Sequence, residues 1–197
     1  MKHEKLPAGL FLERRKIMNI CVYGGASSTI DEKYIKEGER LGFLLASRGH
    51  TMIFGGGANG LMGAAARGVT RGEGHCVSIV PSFFNVDGVL YDKSDRTEFT
   101  ETMRIRKGRM EELSDGFIMT PGGIGTFDEF FEMLTLLTLD RHKKPIAVLN
   151  SYGFYDLLFG FLDRCCEKNF VKKNLHDFFF VSDEPEKVLD YIEKFGE

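Results

Sequence analysis

Two side chains in this sequence are set where their chemistry asks for an explanation. Glu129 closes the run Met119-Thr120-Pro121-Gly122-Gly123-Ile124-Gly125-Thr126-Phe127-Asp128-Glu129, and Arg106 interrupts an apolar stripe upstream of it. The run follows the apolar segment Gly116-Phe117-Ile118-Met119, which reads as a buried strand, and leads into an apolar helix over 127–139. Between them a glycine-rich turn lets backbone N–H groups converge on one point. The helix N-terminus adds partial positive charge at that point. This is chemistry for an anion, above all a phosphate, and it sets Glu129 where a carboxylate reaches a sugar carried by that phosphate. The same letters also spell a capping box, with Thr126 as N-cap and Glu129 as its reciprocal partner. Asp128 and Glu129 would equally suit the dipole of a first turn. From this stretch alone the two readings stand level.

Arg106 belongs to a helix predicted over 102–114, where Met103, Met110 and Leu113 share a face. It falls in the middle of that face; Lys107 flanks it, and Arg104 and Arg109 point elsewhere. An arginine inside an apolar stripe either snorkels to water or meets a buried anion. Two further loops have the composition of ligand cradles. Gly24-Gly25-Ala26-Ser27-Ser28 ends the first strand with small residues and hydroxyls, though an ordinary turn would look the same. Gly55-Gly56-Gly57-Ala58-Asn59-Gly60-Leu61-Met62-Gly63 matches the dinucleotide fingerprint by letter. It follows the second strand rather than the first, and the next strand runs out into Val80-Pro81-Ser82 with no acidic residue for a ribose. It therefore reads as a phosphate loop or a packing turn, not as a site for NAD or FAD.

Strands are expected over 17–23, 51–54, 76–80, 116–119, 145–149 and 178–181. Helices are expected from Asp31 to Arg48, from the glycine loop to Gly72, and over 102–114, 127–139, 154–168 and 185–195. Gly49 stops the first helix, Ser182 or Asp183 caps the last, and a short helix is expected near 10–15. The connection 81–99, with Phe83-Phe84 and Asp87-Gly88, reads as a long polar loop and a pocket wall. This alternation predicts a single-domain α/β fold: a Rossmann-like, doubly wound parallel sheet with helices on both faces. Residues 1–16 form a lead-in and 17–197 the domain. Ligands bind such sheets beyond the carboxyl ends of the strands. The loops after Tyr23, Phe54 and Met119 are thus expected to face one crevice. The helix over 127–139 is apolar nearly all round, which calls for a subunit contact.

A chain of 197 residues fits one domain, and a net charge of -3 argues against a nucleic-acid binder with a basic surface. Its apolar stretches fall far short of a membrane span. The cysteines at 21, 76, 165 and 166 show no CxxC spacing, in keeping with a reduced, cytoplasmic protein whose thiols pack as small core residues. The histidines at 3, 50, 75, 142 and 176 are scattered and are expected at the surface or at caps. No metal is expected.

Three segments together carry a family resemblance. Pro121-Gly122-Gly123-Ile124-Gly125-Thr126-Phe127-Asp128-Glu129 resembles the PGGxGTxxE motif of the LOG ("lonely guy") family, the cytokinin riboside 5′-monophosphate phosphoribohydrolases. Met103-Arg104-Ile105-Arg106-Lys107 is similar to the family's MxxRK element, and Gly55-Gly56-Gly57-Ala58-Asn59-Gly60-Leu61-Met62-Gly63 to its GGGxxGLMG loop. The resemblance implies a Rossmann-like fold, a homodimer or larger, and hydrolysis of the N-glycosidic bond of a nucleoside 5′-monophosphate. It makes Arg106 and Glu129 the catalytic pair. Substrate contacts then fall to Lys107, Gly122, Gly123, Gly125, Thr126 and Thr135, joined by Ser27, Gly56, Gly57 and Met103. AMP or a cytokinin riboside monophosphate would give free base and ribose 5-phosphate through an oxocarbenium-like sugar. Glu129 would stabilise that charge, bind the ribose hydroxyls or orient water. Arg106 would offset charge on the phosphate or the departing base. No cofactor is implied, and nothing indicates a pyridoxal phosphate site. The rival reading is a non-catalytic nucleotide-binding or cofactor-carrier module of the same fold, which would need the phosphate loops but not the carboxylate of Glu129.

Overall fold

The computed structural model describes residues 16–85, 88–171 and 174–195. Its strands are β1 (Asn19–Tyr23), β2 (Thr51–Phe54), β3 (His75–Pro81), β4 (Arg96–Thr100), β5 (Gly116–Met119), β6 (Ile146–Leu149) and β7 (Phe180–Ser182). They form one parallel sheet in the order β4-β3-β2-β1-β5-β6-β7. The winding reverses between β1 and β5, whose ends pair as Tyr23↔Met119. The helices are α1 (Glu32–Ser47), α2 (Gly60–Arg71), α3 (Met103–Leu113), α4 (Ile124–Thr138), α5 (Asp156–Glu167) and α6 (Pro185–Lys194).

The inner strands are short and largely apolar because both of their faces are covered. On one face Ile20 and Val22 of β1 meet Leu41 and Leu45 of α1, Val69 of α2 and Ile192 of α6. On the other, Cys21 and Tyr23 join a core with Met110 of α3, Phe130 and Met133 of α4 and Leu162 of α5. This is the doubly wound α/β architecture that the alternation predicts. Asp31 caps α1 by accepting the Lys33 N–H at 3.0 Å. Helices α1 and α2 approach until backbone meets backbone. A Cβ on Gly42 would stand 1.9 Å from the Ala65 carbonyl oxygen, and one on Gly68 2.1 Å from that of Glu39.

Several expectations shift. The connection 81–99 is not a loop throughout; it holds a short 3-10 turn at Ser82–Phe84 and the edge strand β4. That strand, Arg-Thr-Glu-Phe-Thr, pairs only with β3 and is mostly exposed, so it lacks the apolar run that marks the inner strands. Helix α4 begins at Ile124, three residues before the expected 127. Strand β7 starts at Phe180 because Leu175–Asp177 forms a 3-10 turn that Phe178 closes. Helix α6 has Glu184 as its N-cap, while the Ser182 hydroxyl accepts the Glu184 N–H just ahead of it. Two histidines are core rather than surface. His50 accepts the Met18 N–H through Nδ1 and pairs with Glu193 through Nε2, and the Nε2 of buried His142 meets the Met133 carbonyl. The helix expected near 10–15 lies outside the described residues, as do His3 and Asp87. Among the described residues no helix is long and apolar enough to cross a membrane.

Candidate active site

The three glycine-rich loops meet beyond the carboxyl ends of the strands. The Gly25 N–H donates to the Pro121 carbonyl at 3.0 Å, and the Leu61 N–H donates to the Gly25 carbonyl at 2.8 Å. At the centre of this junction α4 starts on Gly123, with no side chain capping it. The N–H groups of Ile124, Gly125 and Thr126 therefore have no partner inside the helix, and the helix dipole points at the same place. A groove of about 580 Å³ opens over them, lined by Ser27, Gly122, Gly123, Gly125 and Thr126 on the cradle side and by Tyr34 and Phe154 opposite.

The early start of α4 removes the capping box. Thr126 is the third residue of the helix, not its N-cap, and it is buried against Gly122. Glu129 lies in the second turn, beyond reach of the unpaired N–H groups. Its carboxylate turns inward instead. Oε1 accepts from Nη1 of Arg106 at 2.8 Å, with both side chains under one-tenth exposed. Arg106 does not snorkel: Nε donates to the Ile79 carbonyl at the end of β3 at 3.0 Å, and the guanidinium lies against Gly55 at the end of β2. The anion that it meets is a carboxylate of its own chain.

The electrostatics of the pair are those of a charge held out of water. Burial raises the Glu129 pKa above the ordinary carboxylate range, and the attraction of Arg106 opposes this without cancelling it. Beneath the pair, burial pushes the Cys21 thiol up to about 12 and the Tyr23 hydroxyl well above its usual range. A carboxylate kept in so dry a place, against its own solvation, costs the fold stability, which makes Glu129 a candidate for a working group.

The remaining predicted residues fall into three places. Ser27, Gly122, Gly123, Gly125 and Thr126 line the cradle groove. Lys107 and Thr135 share a second hollow of about 590 Å³ on the outer side of α4, with Ile124 joining it to the groove. There Lys107 Nζ already sits 2.6 Å from Glu132 and 3.0 Å from Asp128. Burial lowers the Lys107 pKa, but the two carboxylates outweigh it and the net shift is upward. Within one chain Lys107 and Thr135 thus line a hollow other than the cradle groove, although Lys107 is near enough to lower the Glu129 pKa. Gly56 and Gly57 are held from above by the β3–β4 connection, through the Tyr91 N–H on the Gly56 carbonyl and a bridge from Gly57 to Leu90. Met103 opens α3 and is exposed. Sequence reasoning missed the Ile79 carbonyl, Gly55, and the groove wall of Tyr34 and Phe154. Main-chain groups carry no signal in the letters, and the two aromatics look like any helix-face and turn residues.

Comparison with known proteins shows the family of the chain. A family model described as "Possible lysine decarboxylase" matches residues 62–192. The cytokinin riboside 5′-monophosphate phosphoribohydrolase LOG2 of Arabidopsis thaliana is 31% identical over 182 residues, covering 92% of this chain and 85% of that protein. The chain belongs to the LOG family. A second Arabidopsis LOG protein of the same printed activity, LOG1, is 33% identical over 79% of this chain and 73% of its own length. Among solved structures, the molybdenum cofactor binding protein of Rippkaea orientalis shares the fold with a TM-score of 0.71 at 22% identity, covering 92% of this chain and 99% of that one. The Moco carrier protein of Chlamydomonas superposes with a TM-score of 0.65 at 19% identity, covering 91% and 98%. In this LOG chain the three segments that resemble family motifs are elements just described: the uncapped start of α4, the loop under Arg106, and the start of α3.

Proposed function

We propose that this LOG protein hydrolyses the N-glycosidic bond of a nucleoside 5′-monophosphate, AMP or an N6-modified relative, releasing the base and ribose 5-phosphate. The observation that carries the reading is the buried Arg106–Glu129 pair set one helical turn below the unpaired N–H groups of α4. The 5′-phosphate is held by the backbone N–H groups of Gly123 to Thr126, with Ser27 beside them in the groove. The sugar then lies toward Glu129. As the base departs, positive charge builds on the ribose, and a carboxylate already stripped of water stabilises it more strongly than a solvated one could. Arg106 fixes the orientation of that carboxylate and offers its remaining donors to the departing side. The relatives' printed activity, cleavage of cytokinin riboside 5′-monophosphate, supports the same reaction class.

The likeness to molybdenum cofactor carriers is one of fold. A carrier gains nothing from burying a carboxylate whose ionisation the site resists, so Glu129 favours turnover. The working form is a homodimer in the cytoplasm. In its support, Ile124 and Leu139 at the two ends of α4 and Leu157 and Phe161 of α5 are exposed, and none of the described cysteines is in a disulfide. The test is incubation of purified protein with a panel of nucleoside 5′-monophosphates and their parent nucleosides, reading free base by chromatography. Base is expected from monophosphates and at most traces from nucleosides. Equal rates on adenosine and AMP would remove the phosphate cradle from the mechanism.

A further inference from the structure

The Arg106 side chain is pinned at two of its three nitrogen atoms. Nε donates to the Ile79 carbonyl at 3.0 Å and Nη1 to Glu129 at 2.8 Å. Nη2 makes no hydrogen bond to any described residue, although the side chain is only 7% exposed. A guanidinium carries five N–H donors, and two of the three left over are on that atom. What lies against Nη2 is the space where Gly55 has no side chain. A Cβ there would stand 2.1 Å from Nη2, 3.3 Å from Cζ and 3.5 Å from the Met62 sulfur.

We infer that Gly55 is a positioning residue for the reaction: by having no side chain it seats the Arg106 guanidinium so that Nη1 holds Glu129 while Nη2 stays available to the substrate. This rests on the hydrolase reading for its last clause, but the seat itself is a statement about the fold. Gly55 does not occupy the left-handed region, so its identity is not a demand of the backbone. Alanine could adopt its conformation; it could not share its space. The end of a flexible side chain ordinarily yields to such a contact. Here it can yield only by giving up the bond to Ile79 or the bond to Glu129, in a place where neither lost partner finds water. The first glycine of the Gly55-Gly56-Gly57 loop therefore serves the arginine, not a phosphate.

The experiment is a double-mutant cycle on the full-length chain with Gly55→Ala and Arg106→Ala, together with the kinetics of Gly55→Ala. Gly55→Ala is expected to lower kcat/KM for AMP on the order of 100-fold, comparable to loss of a pre-organised donor. It is also expected to move the acid limb of the pH profile upward, because Glu129 loses part of the opposing charge of Arg106. The other groups that bear on Glu129 are Lys107 of α3, Asp128 of α4, and Cys21 and Tyr23 of β1; Gly55→Ala leaves them in place. In thermal unfolding, Gly55→Ala should lower Tm in the wild-type background and lower it far less beside Arg106→Ala, where the cavity admits the methyl group. Equal Tm losses in both backgrounds would overturn the inference, as would wild-type kcat/KM with an unmoved acid limb. If the wild type cleaves no nucleotide, the hydrolase reading fails on its own, and the Tm cycle still decides whether Gly55 seats Arg106.

Discussion

Replacing Glu129 by Gln separates catalysis from stability more sharply than any other single change here. Gln keeps the length of the side chain and an acceptor for Nη1 of Arg106, 2.8 Å away; only the charge goes. The sign of the stability effect follows from burial. The folded-state pKa of Glu129 lies above its ordinary value of 4.5, so the folded protein holds that proton to higher pH than the unfolded chain does. Below about pH 4.5 both states are protonated and the group is neutral in the balance. As the pH rises from there through the folded pKa, wild-type stability falls, by about 1.4 kcal/mol for each unit of displacement, and then levels off. The attraction of Arg106 is already contained in that net displacement. Gln has no proton to lose. Glu129→Gln should therefore match the wild type near pH 4.5 and be the more stable protein at pH 7, while base release from AMP falls by about 100-fold or more, about 2.7 kcal/mol of barrier. Urea unfolding across this pH range gives the first quantity and chromatography of released base the second. A variant that folds normally and hydrolyses AMP at the wild-type rate would refute the mechanism. A variant less stable than wild type at pH 7 but equal to it at pH 4.5 would refute the burial argument.

Three other outcomes can be checked independently. Gly42→Ala should destabilise the fold by more than about 2 kcal/mol, because its methyl group would stand 1.9 Å from the Ala65 carbonyl oxygen; an unchanged denaturation midpoint would contradict the close approach of α1 and α2. Light scattering at micromolar concentration should give at least twice the chain mass of 22.3 kDa, and Leu157→Glu with Phe161→Glu is the pair to examine if it does. Cys21, raised to about 12 by burial, should resist a thiolate-selective reagent at pH 8 until the protein unfolds, whereas partly exposed Cys165 should react in the folded state.

Periodicity and punctuation made most of the architecture readable in the letters. Asp31 and Gly49 bracket α1 as a cap and a stop should, and the apolar runs 51–54 and 116–119 are the strands β2 and β5 to the residue. Strand β4 escaped because an edge strand with one neighbour needs little apolar surface. The start of α4 was misplaced for a more instructive reason. Thr126 and Glu129 have the spacing of a capping box, and spacing alone cannot tell whether a helix has already begun. The glycines before Thr126 allowed it to begin at Ile124, and Glu129 was thereby turned from the helix end toward Arg106. For Arg106 the apolar stripe leaves two fates, water or a buried anion. The partner that decides between them is remote in the chain and belongs to another helix. The seat built by Ile79 and Gly55 consists of a carbonyl and an absence, and neither has a letter of its own.

The glycine seam between α1 and α2 reaches beyond its own contact. Each of these helices emerges from one of the ligand-side loops, α1 from Gly24–Ser28 and α2 from Gly55–Asn59. Because the two backbones touch at Gly42 and Gly68, the helices behave as a single strut, and the loops at their near ends inherit its rigidity. Loops braced from behind in this way need no bulky side chains of their own to hold their shape. They can be made almost wholly of glycine, alanine and serine and still present their main chain in fixed positions.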